Sequence, residues 1–287
     1  LCIMTSGNQR YYRIMNTSVS LKSEIPDYVV GERILDVGSG GGVMLDALEK
    51  KFGDSKTIIG TEISPIAMEY LSEKKIETKS HWTLDKHNFV EGVYPIKVDT
   101  IIFSSILHEI YSYTFLHGRK FNLASVTTAL DNAYDSLNPG GRIIIRDGVK
   151  PQDYKEIKSV TVKSSEGIDF FKKFIKDFKG YPTVERDFKI EGNKITGPFG
   201  ILMEFIFKYD WGPVSYEREI HEQFGYLTNS AYNEILESMG FTVTASRSYF
   251  EQGYREFFDR LFDEYPQFDT NQFIIADKLT DGQKQEL

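Results

Sequence analysis

The chain has 287 residues, 40% of them hydrophobic and 26% charged, with 9 prolines and a formal net charge of -8. These values fit a globular protein of one large domain, or one domain carrying an insertion, and exclude collagenous and disordered chains. The single cysteine, Cys2, excludes an intrachain disulfide and a zinc site of several thiolates, and 34 basic against 42 acidic residues disfavour a large nucleic-acid footprint.

No run of about 18 apolar residues is present to span a bilayer. The first ten residues lack a charged region followed by an apolar stretch, so no signal peptide is read and a cytoplasmic location is expected. The tail Lys284-Gln285-Glu286-Leu287 loosely resembles a retention signal, which has meaning only behind a leader. The aromatic share of 14% points to thick cores or an aromatic-lined pocket.

Residues 1–30 read as a polar, Tyr-bearing helical segment broken at Pro26. Arg33-Ile34-Leu35-Asp36-Val37-Gly38 then reads as a buried strand entering a glycine loop, and the apolar spacing over 43–52 predicts a helix. Residues 57–63 form a second buried strand. Ser64-Pro65 supplies an N-cap and a proline at the first turn of the next helix. A weaker strand is expected at 81–84 and a strong one at 98–103. A helix over 122–137 stops at Asn138-Pro139-Gly140-Gly141, and Arg142-Ile143-Ile144-Ile145-Arg146-Asp147 is another buried strand.

Between 151 and 225 the alternation stops. This stretch mixes a charged helical piece at 168–178 with punctuation at Gly192, Gly197-Pro198 and Gly212-Pro213. A capped helix over 228–239 and strands over 241–249 and 272–279 resume the pattern. Strands alternating with helices predict a mostly parallel sheet of βαβ units. The expected organisation is therefore an α/β core at 31–150 and 226–280, interrupted by an inserted subdomain at 151–225.

Asp36-Val37-Gly38-Ser39-Gly40-Gly41-Gly42 lies at a strand-to-helix junction. Glycine lets the backbone turn tightly and approach a ligand, and the helix N-terminus offers unpaired N–H donors. Any sharp turn wants glycine, so the loop alone does not decide. Glu62, 22 residues beyond Gly40 at the next strand end, can accept hydrogen bonds from both ribose hydroxyls. Asp85 follows the third strand, placed to meet a base. Together these features specify a nucleoside-bearing cofactor. A nicotinamide dinucleotide fits less well, because its fingerprint wants a further glycine or small residue where Val43 stands.

The run Leu35-Asp36-Val37-Gly38-Ser39-Gly40-Gly41-Gly42 resembles motif I of the class I S-adenosylmethionine-dependent methyltransferases, and Glu62 matches that family's ribose-binding acid. Leu137-Asn138-Pro139-Gly140-Gly141-Arg142-Ile143 resembles the loop before its fifth strand, and Met239-Gly240-Phe241 its turn into the closing hairpin. The resemblance implies a doubly wound, mostly parallel seven-stranded Rossmann-like sheet with an antiparallel last strand, and S-adenosyl-L-methionine as cofactor. It implies that Asp36, Gly38, Ser39 and Gly40 face the methionine part, that Glu62 holds the ribose, and that Ile63 packs on the adenine. Asp85 would meet the adenine amino group, and Ser104 would line the cofactor from the fourth strand.

Ser104-Ser105-Ile106-Leu107-His108-Glu109-Ile110 follows that strand. An imidazole of ordinary pKa can take a proton from a hydroxyl near neutrality, so His108 is the candidate base and Glu109 its candidate orienting group. The stretch resembles the Leu-His-Asp segment of plant-type small-molecule O-methyltransferases. A histidine here also serves simply to pack beneath the cofactor, and both readings stand at this stage. No Asn/Asp-Pro-Pro-Tyr/Phe motif follows the strand, which excludes the amino-methylating nucleic-acid type.

The aromatic run from Phe199 to Trp211 reads either as the core of the added module or as a lid, with Tyr209, Trp211 and Tyr216 as acceptor walls and His221 approaching from the lid side. Glu219 and Glu222 flank His221, but the spacing does not aim the three one way on a helix, so no metal is expected. The expectation is a methyltransferase acting on a small or medium-sized acceptor, with oxygen favoured over nitrogen. Methylation of RNA or another macromolecule, weakly supported by the insertion's lysines, is the first alternative; a non-catalytic cofactor-binding regulatory module is the second. No membrane partner is expected, and a homo-oligomer is left open.

Overall fold

The computed structural model describes residues 22–280 and 282. It opens with a 3-10 helix, Lys22–Tyr28, whose Ile25 and Pro26 are buried. Five strands and four helices follow in chain order: β1 Arg33–Val37, α1 Val43–Phe52, β2 Thr57–Glu62, α2 Pro65–Thr78, β3 Thr83–Lys86, β4 Val98–Ser104, α3 Leu107–Tyr113, α4 Leu123–Ser136 and β5 Leu137–Gly148. A second group comprises β6 Ile157–Val162, α5 Ser165–Asp177, β7 Lys189–Glu191, β8 Lys194–Pro198 and α6 Phe199–Glu219. The chain closes with α7 Asn229–Ser238, β9 Phe241–Tyr249, α8 Gly253–Leu261, β10 Phe262–Glu264 and β11 Asn271–Lys278.

The seven-stranded sheet has the order β3-β2-β1-β4-β5-β11-β9. Only β11 runs against its neighbours, lying antiparallel to β5 on one side and β9 on the other. The central strands are near-continuous apolar runs because helices cover both faces. One face buries Leu35, Ile101, Ile143 and Ile145 with residues of α4 and α7. The other buries Ile34, Ile58, Ile102 and Ile144 with α1 and the 3-10 helix. Local signals place the helix starts. Ser64 Oγ accepts from Ala67 N ahead of Pro65, Asn122 Oδ1 accepts from Ala124 N, and Thr228 caps α7.

The residues between β5 and α7 build a second layer. Its sheet has the order β10-β6-β8-β7, so β10 joins it from the far end of the chain. A separate aromatic core includes Phe171, Phe174, Phe199, Phe205 and Phe207, together with Phe258, Phe262 and Phe268. The inserted stretch thus recruits a second segment lying between β9 and β11. The amphipathic run of α8, with Phe258 wholly buried, carries a signal for this that the strand-only reading of the C-terminal region does not use. Helix α6 also runs through Gly212-Pro213, where sequence punctuation predicts a stop. Burial of Ile201 to Phe207 on one side and Tyr216 on the other outweighs the local preference. Among the described residues, no helix is long and apolar enough to cross a membrane.

Candidate active site

Gly38 leaves β1 with a positive φ of 68°, and a Cβ there would lie 2.5 Å from the Ile106 side chain. Gly42 starts α1 at φ 76°, a left-handed conformation that glycine adopts without steric cost. Gly38 N and Ser39 N both donate to the Thr61 carbonyl, at 2.9 and 3.0 Å, tying the loop to the end of β2. Ser39 Oγ donates to the Asp36 carbonyl.

Glu62 is the hub of this end. Its Oε2 accepts from Gly40 N at 3.0 Å, and its Oε1 from Ile63 N and Ser64 N at 2.8 and 2.9 Å. Beside it Ile63 is 54% exposed, an apolar surface at the strand end. Asp85, at the end of β3, accepts from the Tyr94 hydroxyl. An acidic acceptor at a strand end, an exposed apolar neighbour and a glycine cradle fit a cofactor of nucleoside and amino-acid parts. Burial pushes the Asp36 carboxyl up to about 7, opposed by Ser39 and the Lys22 ammonium.

Two strands away, His108 lies in the first turn of α3, 3% exposed. Its Nδ1–H donates to Asp147 Oδ1 at 2.5 Å, and its backbone N donates to Oδ2 of the same carboxylate at 3.0 Å. Nε2 faces Glu222 Oε2 at 3.7 Å. The ring stacks on Phe224, with centroids 4.5 Å apart. Burial alone would lower the imidazole pKa, but the charge and hydrogen bond of Asp147, then Glu222, raise it well above its ordinary value. The resting state is therefore an imidazolium between two carboxylates.

Glu222 also accepts from the Tyr113 hydroxyl at 2.8 Å and from Arg218 Nε at 3.1 Å. Burial works against its charge, yet His108 and Arg218 hold its carboxyl well below the usual range. Arg218 reaches across to Glu109 Oε1 at 2.9 Å. Burial raises Glu109 to about 7 against the pull of that guanidinium. Glu219 is 1% exposed, its Oε2 makes no hydrogen bond, and burial with the Glu222 charge raises it. The polar cluster thus joins α3 of the core to the C-terminal end of α6.

The structure brings His108 and Glu109 into one network with Asp147, Arg218 and Glu222. Asp147 and Glu222 have no sequence signal as partners of His108, because they stand 39 and 114 positions away. His221 is exposed between two buried acids. Tyr209 packs in the aromatic core, stacked on Phe205 at 5.7 Å and beside Phe170 and Phe262. The Trp211 side chain lies outside the described residues. Ser104 ends β4 with its Oγ buried and unpartnered. No group of three or more metal-ligating side chains is found among the described residues.

Residues 35–143 match the sequence profile of a methyltransferase domain family. No curated protein sequence matches the chain. Among solved structures, an O-methyltransferase family 2 protein from Planctomyces limnophilus, in complex with apigenin, superposes with a TM-score of 0.54 at 13% identity, covering 96% of this chain and 63% of that one. An O-methyltransferase family protein from Burkholderia thailandensis gives 0.53 at 12%, covering 96% and 59%. An S-adenosylmethionine-dependent methyltransferase from Aquifex aeolicus gives 0.51 at 14%, covering 96% and 100%. The chain therefore spans less than two thirds of the two O-methyltransferase family chains, and at these identities the likeness is one of fold. Residues 35–143 thus match a methyltransferase domain, on a fold shared with solved S-adenosylmethionine-dependent methyltransferases.

Proposed function

We propose that the chain methylates an oxygen atom of a small or medium-sized acceptor, bound between the glycine loop and the His108 cluster. When bound, the cofactor supplies an electrophilic methyl on a positively charged sulfur. Glu62 would take the ribose hydroxyls and Ile63 the adenine, with Asp36, Gly38, Ser39 and Gly40 along the methionine part and Asp85 and Ser104 at its flanks.

One observation carries the acceptor reading: the Asp147–His108–Glu222 row. Asp147 fixes the imidazole with its proton on Nδ1, which leaves Nε2 as the proton-accepting atom. Glu222 lies 3.7 Å from that nitrogen, beyond hydrogen-bond range but close enough to stabilise the imidazolium formed when a hydroxyl gives up its proton. Such a base suits a hydroxyl acceptor. Because the imidazole pKa is raised, His108 is protonated at rest, and the rate should climb as pH rises through that pKa. Glu109, beside it and paired with Arg218, orients the α3 end of the cluster.

The second layer would form the acceptor-side wall, with exposed His221 at its rim, whereas Tyr209 is packed into the aromatic core behind it. The Phe224 ring on His108 is the contact that supports this role. The insertion's lysines are interleaved with acids: Lys172 pairs with Asp169 and Lys173 with Glu217. That pattern does not favour a nucleic-acid acceptor.

The test is labelled methyl transfer from the cofactor to a panel of phenols, catechols and aliphatic alcohols, beside matched amines and bulk RNA, with cofactor binding followed by calorimetry. Labelled ethers or esters are expected. Label found only in amines or RNA would overturn the oxygen assignment, and absence of cofactor binding would overturn the whole reading.

A further inference from the structure

An ion pair is buried among the aromatic rings of the second layer. Lys208 Nζ stands 2.6 Å from Glu204 Oε2, one turn away on α6, and both side chains are 0% exposed. The ammonium also faces the rings of Phe178 and Phe224, at 5.2 and 5.0 Å from their centroids. Desolvation of two charges offsets most of their attraction, and an apolar pair of similar volume serves stability as well or better. The pair therefore calls for a reason other than stability.

That reason lies in what else Glu204 touches. Its Oε1 accepts from Gly225 N at 2.8 Å and its Oε2 from Phe224 N at 3.2 Å. An apolar side chain could not satisfy these two N–H groups. They belong to segment 222–225, which follows α6 and carries both residues that meet the His108 ring from this side. Glu222 Oε2 lies 3.7 Å from Nε2, and the Phe224 ring stacks on the imidazole with the planes 20° apart. A second tie runs through the same segment: Gln223 N donates to Ser112 Oγ at 2.9 Å, and that hydroxyl donates to the His108 carbonyl at 2.7 Å. The Phe224 N–H is thus held by Glu204, while its ring stands next to two cations, Lys208 and the His108 imidazolium.

We propose that Glu204, ion-paired to Lys208, is a positioning residue for the base: it anchors segment 222–225 so that Glu222 and Phe224 meet the His108 ring. The inference rests on the reading of His108 as the base and deepens it, because the pair acts on His108 only through that segment. The charges around the imidazole come from several elements: Asp147 on β5, Glu109 on α3, Glu219 at the end of α6, and Glu222 beyond it. Arg218 stands behind Glu109 and Glu222, and the Lys22 ammonium lies in the field of Asp147 and Glu109. Of these groups, Glu222 alone sits on the anchored segment. Loosening the segment withdraws one negative charge from Nε2 and leaves the others in place.

The test follows the His108 ring resonances of the full chain by NMR, titrating from pH 6 upward. Glu204→Gln combined with Lys208→Met removes both charges together, so no buried ion is stranded, and leaves one acceptor for two N–H groups. It should lower the His108 pKa by about 1, the change expected when Glu222 withdraws from 3.7 Å to about 6 Å at an effective dielectric constant of about 20. Affinity for S-adenosylmethionine, read by calorimetry, should stay within twofold. Phe262→Leu, in the same aromatic core but off this segment, should melt lower and leave the His108 pKa where it is. In the unaltered chain the Phe224 and Gly225 amide resonances should titrate together with His108, which reads the coupling even where the double variant does not fold.

An unchanged or raised His108 pKa in the folded double variant would overturn the proposal. So would an equal shift in Phe262→Leu, or Phe224 and Gly225 amides that ignore the His108 titration. Failure of the base reading looks different: methyl transfer would continue at full rate in His108→Gln, whereas the effect of Glu204 on the His108 pKa is measured without any acceptor.

Discussion

Replacing His108 by Gln tests the electrostatic core of the site. The imidazolium sits 2.5 Å from Asp147 and 3.7 Å from Glu222, and both carboxylates are almost completely buried. Removing the cation leaves two desolvated carboxylates, one of which still has Arg218 and Tyr113. Breaking a buried pair by deleting one partner costs about 3–5 kcal/mol. The glutamine amide can give one hydrogen bond back, worth roughly 1 kcal/mol. The expected net loss is therefore about 2–4 kcal/mol in urea unfolding at pH 7, far above the few tenths expected of a surface histidine.

The pH dependence has a definite sign. His108 has a folded pKa raised above its unfolded value of about 6.5. Its stabilisation is complete below about 6.5 and is lost as pH rises through the folded pKa. The wild-type chain should lose stability as pH rises above about 6.5 and through the raised folded pKa, and His108→Gln should lose less over the same rise. Where the acceptor is known, the variant's saturated rate should also fall about 10²–10⁴-fold. A stability change under about 1 kcal/mol with an unaltered pH slope would refute the ion-paired imidazolium and the base role built on it.

Glu62→Gln keeps one acceptor oxygen but removes the charge that serves Gly40, Ile63 and Ser64, so calorimetry should show cofactor affinity falling about 10- to 100-fold, equivalent to roughly 1.5–3 kcal/mol. Gly38→Val forces a branched side chain into a left-handed conformation and into Ile106, and should abolish cofactor binding while costing at least about 2 kcal/mol in thermal unfolding. Glu219→Gln replaces a buried carboxyl whose pKa is raised, and whose ionisation therefore costs stability as pH rises from about 4.5 through its folded value. The variant should melt higher than the wild type at pH 8.5 and within a degree or two of it at pH 5.

The glycine loop and Glu62 are legible in the sequence because they are local: a strand end, a turn and a helix start lie within a few residues of one another. The same holds for the helix caps at Ser64, Asn122 and Thr228. His108 is legible as a candidate by its place after β4, but its state is not. Asp147 reaches it across the β4–β5 pairing, and Glu222 comes from beyond a long insertion. Their contact depends on tertiary packing that no periodicity encodes. Glu219 and Glu222 likewise carry no sequence signal of burial around His221, until the α6 terminus meets α3 and buries the two acids.

The second layer is stitched from two stretches of chain, since β10 and Phe258, Phe262 and Phe268 come from the connection between β9 and β11. The cofactor half and the aromatic half are therefore interleaved, and neither can be excised as a continuous piece. Cutting out residues 151–225 and rejoining the ends would leave Phe258, Phe262 and Phe268 facing water, and with them a sticky patch on the remaining half. A chimaera that exchanges the second layer must exchange both stretches together. Recombination at a single junction would break an aromatic core, whereas a point change on the surface of either half would not. Diversification of such a scaffold runs through individual side chains rather than through exchange of modules.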